Sequence, residues 1–466
     1  MTRDTSRRFC LRPVLIEQGH ARDAKKYPFR DRAVIWDRDE SDIFTPVIVI
    51  NTGRTAPSRP KMAAMRRTSG DGSFLRSLNE VAVLRALRET GTPTLAEVAR
   101  AAQLSRATTE VIMDSLQRNG WVVEAEAVAD GQRGRPARRY AFRAAAAHVA
   151  GVAIGGSGVA AMVADLDGAV AGRAVEHLSP ELSASERLNA VQRVLEHAAG
   201  AADVPLSRLA SVGVGTTGVI DNEGRVLKSV ALADWSGVDL QTELAARLPV
   251  PVVIENDMRL AVLAEHWRGA ASEHDNVLYL HTGRRIGLGL LFDGVPYRGS
   301  HAAAGELGGH PNSRWAAFQH VMDYAMAADP GELRAPSQAA LFAMERAAGG
   351  DEKAAAAFQA FARALAEGLV SLVTPLDPDL VVIGGSLAQT GEHLTEPIRA
   401  LLGEVCLYPP DVKVSELGGD AVGMGAVRLA LDHAEPVLFA SLSSGAAAAP
   451  APASAPPPAP APAPAA

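Results

Sequence analysis

The order of patterns between Leu78 and Ser157 restricts the fold more than any other feature of the chain. Val81, Leu84 and Leu87 fall three apart, on one face of a helix over Leu78–Thr90. Gly91-Thr-Pro93 stops that helix. Thr94, with Glu97 three residues on, has the form of a capping box and opens a second helix. Leu104-Ser105 makes the turn, and Ser105 caps a third helix that ends at Asn119-Gly120. Trp121-Val-Val-Glu124 and Arg138-Arg-Tyr-Ala-Phe142 flank the loop Gly131-Gln-Arg-Gly-Arg-Pro136 as the arms of a hairpin with a basic tip. A helix, a helix-turn-helix and a hairpin make a winged helix-turn-helix. It runs straight into Val149-Ala-Gly-Val-Ala-Ile-Gly-Gly-Ser157, a strand that ends in a glycine loop.

From Ala150 apolar strands alternate with amphipathic helices. The strands are expected at 152–154, 160–164, 209–215, 252–255, 277–280, 289–292 and 380–383. The helices are expected at 185–199, 258–267, 315–326 and 354–373. This is an α/β pattern with glycine-rich turns at strand ends. Four segments follow: an extension of little order over 1–70, the winged module over 71–147, an α/β body over 148–440, and a tail over 441–466. The tail is almost entirely Ala, Pro and Ser and cannot bury apolar surface. In the extension only Phe44–Ile50 has strand character, with no obvious neighbour to pair with. Met62 and Met65 stand just before the first recognisable structure, which suggests a translation start there.

The net charge of −7 hides a division. Residues 1–143 hold 26 Lys and Arg against 17 Asp and Glu, whereas residues 144–466 hold 20 against 36. A basic module on an acidic body is the footprint of a surface built to meet phosphate, the alternative being a solvated basic tail. Cys10 and Cys406 are too few for a disulfide framework or a cysteine zinc site. With no signal-peptide pattern and no apolar run of membrane-spanning length, a cytoplasmic chain without membrane contact is expected.

In a winged module the third helix enters the major groove with its first turns toward the base edges. Ser105, Arg106, Thr108 and Thr109 are the candidate readers, while Leu104, Ile112, Met113 and Leu116 face the core. At the wing tip Arg133 and Arg135 suit the negative potential of an A·T-rich minor groove. Glu110 and Asp114 lie on the same helix and repel phosphate wherever they face it. A winged helix that serves protein contacts alone is the competing reading.

Residues 77–440 resemble the ROK family (repressors, open reading frames and kinases), and in particular its repressor branch of the xylose- and N-acetylglucosamine-repressor type. The resemblance rests on Leu104-Ser-Arg-Ala-Thr108, Gly134-Arg-Pro136, Gly155-Gly156, Val212-Gly-Val-Gly215 with Gly218, Glu255-Asn-Asp257, Gly305-Glu-Leu-Gly308 and Ile383-Gly-Gly-Ser-Leu387. It implies a winged helix-turn-helix followed by an actin-like, ribonuclease H-like, two-lobed body of the sugar-kinase type. It also implies double-stranded operator DNA and a sugar or sugar-phosphate effector as partners, and a homodimer or homotetramer.

The resemblance breaks where kinases handle phosphate. Their first loop, Asp-x-Gly-Gly-Thr, is Ala153-Ile-Gly-Gly-Ser157 here, without the carboxylate that serves the magnesium-phosphate end of ATP. Their second, Gly-Thr-Gly-Ile-Gly, is Gly283-Arg-Arg-Ile-Gly287. Arg284 and Arg285 there either hold the phosphate of an effector or point to solvent. The family's cysteine zinc segment is missing after Glu306, so no metal and no cofactor are expected. Asn256, Asp257, Glu306 and His310 form the candidate effector set. Asp257 stands at the family's general-base position, although it also fits the N-cap of the following helix. The sequence thus reads as a non-enzymatic carbohydrate-responsive repressor. An ATP-dependent ROK sugar kinase carrying a DNA module is the runner-up.

Overall fold

A computed structural model describes residues 33–38, 44–49, 72–125, 137–307, 315–332 and 334–442, in two units, Met1–Ser69 and Gly70–Ala466. In the first unit β1 (Ala33–Arg38) pairs antiparallel with β2 (Phe44–Val49), Trp36 opposite Pro46. The expectation that Phe44–Ile50 lacks a neighbour is therefore corrected. Its partner carries only four apolar residues before Asp37 and Arg38, too short a pattern to stand out.

The second unit opens with α1 (Gly72–Thr90), α2 (Leu95–Ala101) and α3 (Arg106–Arg118). Both expected caps form. Thr94 N donates to Glu97 at 2.7 Å while its hydroxyl takes Glu97 N at 3.4 Å, and the Ser105 hydroxyl takes Thr108 N at 3.1 Å. Gly120 ends α3 at φ +76°, and Trp121 N returns to the Leu116 carbonyl. β3 (Val122–Ala125) and β4 (Arg139–Phe142) pair antiparallel as the wing.

The first lobe contains β5 (His148–Gly155), β6 (Gly158–Asp165), β7 (Val170–His177), α4 (Ala184–Ala201), β8 (Leu209–Thr216), β9 (Val219–Ile220), β10 (Val226–Lys228), α5 (Leu240–Ala245) and β11 (Val252–Asn256). Its sheet runs β11-β8-β5-β6-β7, parallel from β11 to β5 and antiparallel beyond. The second lobe contains α6 (Asp257–Arg268), β12 (Val277–Thr282), β13 (Ile286–Phe292), β14 (Val295–Pro296), α7 (Phe318–Ala328), α8 (Pro336–Ala348), α9 (Glu352–Leu376), β15 (Leu380–Gly384), α10 (Glu392–Val405), β16 (Asp411–Val414) and α11 (Ala421–Leu442). Its sheet runs β14-β13-β12-β15-β16 with the same alternation of directions. Each lobe therefore repeats one ribonuclease H-like order, the first three strands a meander and the last two added in parallel beside the first. This is the two-lobed fold expected from the sequence.

Between the lobes lie α6 and α11, packed on each other and on both sheets. Contact this close requires glycine. A Cβ on Gly213 would stand 2.0 Å from the Ala426 carbonyl oxygen, and one on Gly425 2.0 Å from that of Leu260. α9 is long and apolar enough to cross a membrane, contrary to the sequence expectation. Phe358, Phe361, Leu365, Leu369 and Val373 bury it in the core of the second lobe instead.

One further core runs through the winged module without a break. It joins Leu84, Leu87, Ile112, Met113, Leu116 and Trp121 to Val149, Met162 and Leu166 of the first lobe, and to Met424, Val427, Leu431 and Phe439 of α11. The Trp121 and Phe439 rings pack edge to face, with centroids 5.9 Å apart. Arg88 closes the joint. It bonds Asp167 at 3.0 Å, Glu435 at 2.6 Å and the Leu166 carbonyl, and lies 5.0 Å above the Phe142 ring.

Candidate effector cleft and nucleic-acid interface

The helix-turn-helix exposes one face of α3, made of Arg106, Ala107, Glu110, Val111, Asp114 and Arg118. Three of the expected readers are engaged elsewhere. Thr109 is fully buried, its hydroxyl donating to the Ser105 carbonyl at 3.0 Å, so its assignment as a base reader is wrong. The Ser105 and Thr108 hydroxyls bond each other at 2.8 Å as part of the cap; both residues stay at the surface but serve the helix start first. Arg106 alone of the four projects freely. Arg133 and Arg135 lie outside the described residues.

In the body, β11 delivers the acidic motif to the cleft. The sequence left Asp257 open as an N-cap, but the cap is Asn256. Its Oδ1 takes Met258 N at 2.9 Å and Arg259 N at 3.1 Å, and its Nδ2 donates to the Gly218 carbonyl at 3.0 Å. Asn256 is buried, and these three bonds tie its amide to the start of α6 and to Gly218. Asp257 is set at the first helical position with Oδ1 on Met258 N at 2.9 Å. Burial raises its carboxyl pKa to about 6, and the charge of Glu306 adds to that, against the pull of the Met258 N–H and of Arg259.

Gly305, at φ +90° and pressed on the Leu288 carbonyl, leads into Glu306, whose charge reaches Asp257. Burial lifts the Glu306 carboxyl too, opposed by Arg259 and then Lys228. Much of that side chain remains in solvent, so its shift weighs less than that of Asp257. His310 lies outside the described residues. Among those residues no cluster of His, Cys, Asp and Glu is placed to hold a metal ion.

Three arginines that the motif reading missed shape the cleft. Arg259, 2% exposed, donates Nε to Glu255 at 2.7 Å and Nη1 to the Ala302 carbonyl at 3.1 Å. Arg298 approaches the other Glu255 oxygen at 3.5 Å. Arg187, fully buried behind the first loop, holds the Gly155 carbonyl at 3.0 Å and that of Ser179 at 2.8 Å. None of the three carried a sequence signal: Glu255 ends β11 while Arg259 lies in the first turn of α6, so their pairing is set by the strand-to-helix turn.

The second loop is the tight turn between β12 and β13. Arg285 donates to the Val230 carbonyl of the opposite lobe at 2.8 Å. Arg284 lies near Glu181, whose carboxyl is held below the usual range first by the Ser179 hydroxyl, with a smaller contribution from Arg284. Both arginines are exposed, as the solvent alternative has it, and Arg285 in addition has a protein acceptor. The pair spans the mouth of the cleft, and one guanidinium already has a protein acceptor there. Gly384 and Gly385 are retained for packing: a Cβ on Gly385 would lie 2.7 Å from the Thr282 carbonyl oxygen.

The ROK family model matches residues 149–320 and 324–433, and an IclR helix-turn-helix model matches residues 80–126. The chain belongs to the ROK family. It is 24% identical over 245 residues to the xylose repressor of Bacillus subtilis (strain 168), a match covering 51% of this chain and 61% of that relative's length. It is 31% identical over 237 residues to the kanosamine kinase of Amycolatopsis mediterranei (strain S699), covering 48% of this chain and 77% of that one. In fold it matches the crystal structure of a ROK family transcriptional regulator, a homologue of the E. coli MLC protein. The TM-score is 0.62 at 20% identity, over 80% of this chain and 99% of that one. Repressors and kinases thus both stand among its relatives, and in this chain the helix-turn-helix match at 80–126 precedes the ROK match.

Proposed function

We propose that the chain is a DNA-binding transcriptional repressor of carbohydrate genes whose ROK body binds a sugar or sugar phosphate without transferring phosphate. The supporting observation is the core shared between the winged module and the body, which fixes a DNA reader rigidly to an effector cleft. In the cleft Asp257 and Glu306 offer acceptors to sugar hydroxyls, with Asn256 positioning Asp257 from behind and His310 completing the set. The family relationship and the relative named as a xylose repressor support the same reading. A kinase reading draws on Asp257 as a base, but Ala153 supplies no carboxylate and Arg285 bonds across the loop that would receive phosphate. Operator binding implies a cytoplasmic homodimer or homotetramer on a two-fold related site.

The test is fluorescence anisotropy of the full chain on a duplex selected from a random library, titrated with xylose, N-acetylglucosamine and their phosphates. One of these is expected to release the DNA; failure to bind any duplex overturns the proposal. A coupled ADP-release assay on the same sugars should stay at background. Turnover abolished by Asp257→Asn would establish a kinase instead.

A further inference from the structure

The exposed face of α3 carries two features that phosphate binding does not use. Glu110 places a carboxylate beside Arg106, one turn along the same row. Val111 leaves an apolar side chain 62% exposed in the middle of the helix, with Ala107 exposed one turn before it. The opposite face, from Thr109 through Ile112, Met113, Ser115 and Leu116, is buried, which fixes the rotation of the helix and makes these two rows the ones presented outward.

A carboxylate in the first turns of a recognition helix is repelled by every phosphate it approaches. It is accommodated only over a base edge that donates. In the major groove cytosine presents its N4 amino group, whereas adenine sets the N7 acceptor beside its N6 donor. A carboxylate has nothing to donate to N7, so cytosine is the better match. The only apolar group on the major-groove edges is the thymine methyl, which suits a branched aliphatic side chain.

We propose that Glu110 and Val111 determine operator specificity, Glu110 accepting a hydrogen bond from a cytosine N4 amino group and Val111, with Ala107, packing on a thymine methyl. This rests on the reading of the chain as a DNA-binding protein. Cβ atoms four apart on a helix lie about 5–6 Å from each other, and base pairs stack about 3.4 Å apart. The cytosine therefore falls within about two base pairs of the base contacted by Arg106.

The experiment selects duplexes from a random library with the full chain, then measures affinity at fixed salt for variants of the selected half-site. Replacing one cytosine by thymine should weaken wild-type binding by about five- to hundredfold. Glu110→Ala should be indifferent to that change, and Glu110→Gln should favour adenine there, because an amide both donates and accepts. Replacing one thymine by deoxyuracil removes only the methyl; wild type should lose affinity several-fold and Val111→Ala should not. All three variants alter exposed residues, and unchanged thermal melting verifies that they fold. If the wild type has no such cytosine or thymine, or the variants keep its full base penalties, while Arg106→Ala still weakens binding, this assignment is overturned and the DNA-binding reading stands. If no duplex is enriched, the DNA-binding reading itself falls.

Discussion

Asp257→Asn should make the protein more stable at neutral and alkaline pH. The carboxyl titrates at about 6 in the fold against an ordinary value of 3.8, chiefly because burial disfavours its charge. A raised pKa means that the folded state favours the protonated form. The resulting stabilisation is complete below about pH 4, the unfolded value, and is lost as pH rises through about 6. Above that the folded state carries a strained carboxylate. At about 1.4 kcal/mol per pKa unit the gap amounts to about 3 kcal/mol, reduced toward about 2 by the side chain's remaining contact with water. Asparagine keeps an oxygen for the Met258 N–H and removes the charge. The assay is urea denaturation followed by circular dichroism at intervals from pH 4 to 8. The variant should match wild type near pH 4, where the carboxyl is protonated, and exceed it increasingly toward pH 8. Glu306 is shifted in the same direction, so part of the pH slope survives in the variant. A variant less stable than wild type at pH 8, or a difference that does not change with pH, would refute the reasoning. If the difference appears, an ionised Asp257 is a group whose cost a hydroxyl-donating effector can offset, a usual sign of a binding residue held against stability.

Arg285→Ala should leave global melting nearly unchanged, since its bond to the Val230 carbonyl lies at the surface, where water screens a charged donor to about 1 kcal/mol or less. Hydrogen exchange at 229–236 should nonetheless accelerate, and unchanged exchange would show that this bond does not hold the cleft mouth. Gly425→Ala forces a methyl to within 2.0 Å of the Leu260 carbonyl oxygen and should cost about 3 kcal/mol or more, read as a large fall in melting temperature; a neutral result would mean that α6 and α11 are not in close contact. Thr109→Ser retains the buried hydroxyl and should leave DNA affinity intact, whereas Arg106→Ala should lower it about tenfold or more on a specific site.

Elements marked by capping chemistry or by a run of β-branched residues were legible in the sequence. Thr94–Glu97, Ser105 and Asn119-Gly120 delimit α2 and α3 as expected, and the core strands β8, β12 and β15 fall on their Val- and Leu-rich stretches. β7 was missed because Arg173, Glu176 and His177 give it no clean alternation. It is the edge strand, with one face in water. α11 was missed for a different reason: two glycines, Gly423 and Gly425, weaken a helical pattern, yet Gly425 is required by the contact with the Leu260 carbonyl of α6. At the site, the acidic motif marked the end of β11, but the division of labour between Asn256 and Asp257 turns on a single residue of helix phase. Arg187 left no trace in the pattern, because its partners are backbone carbonyls and those have no sequence signature.

The proposed function requires a change at the cleft to reach α3, and the contacts constrain how. Asp257 begins α6, and α6 meets α11 backbone to backbone at Leu260 and Gly425. With no side chain between the two backbones there, α6 and α11 are in direct contact at this point. At its far end α11 carries Glu435 and Phe439, which hold Arg88 and Trp121 of the winged module, and Trp121 N is bonded to the last turn of α3. Contiguity alone does not establish coupling. The energies are nevertheless commensurate. Allosteric coupling is typically about 1–3 kcal/mol, and a hydrogen bond to a charged group is worth about 1.5–3 kcal/mol. Breaking the Arg88–Glu435 bond in one state and keeping it in the other would supply the whole coupling, without any rearrangement of the DNA-reading helix itself.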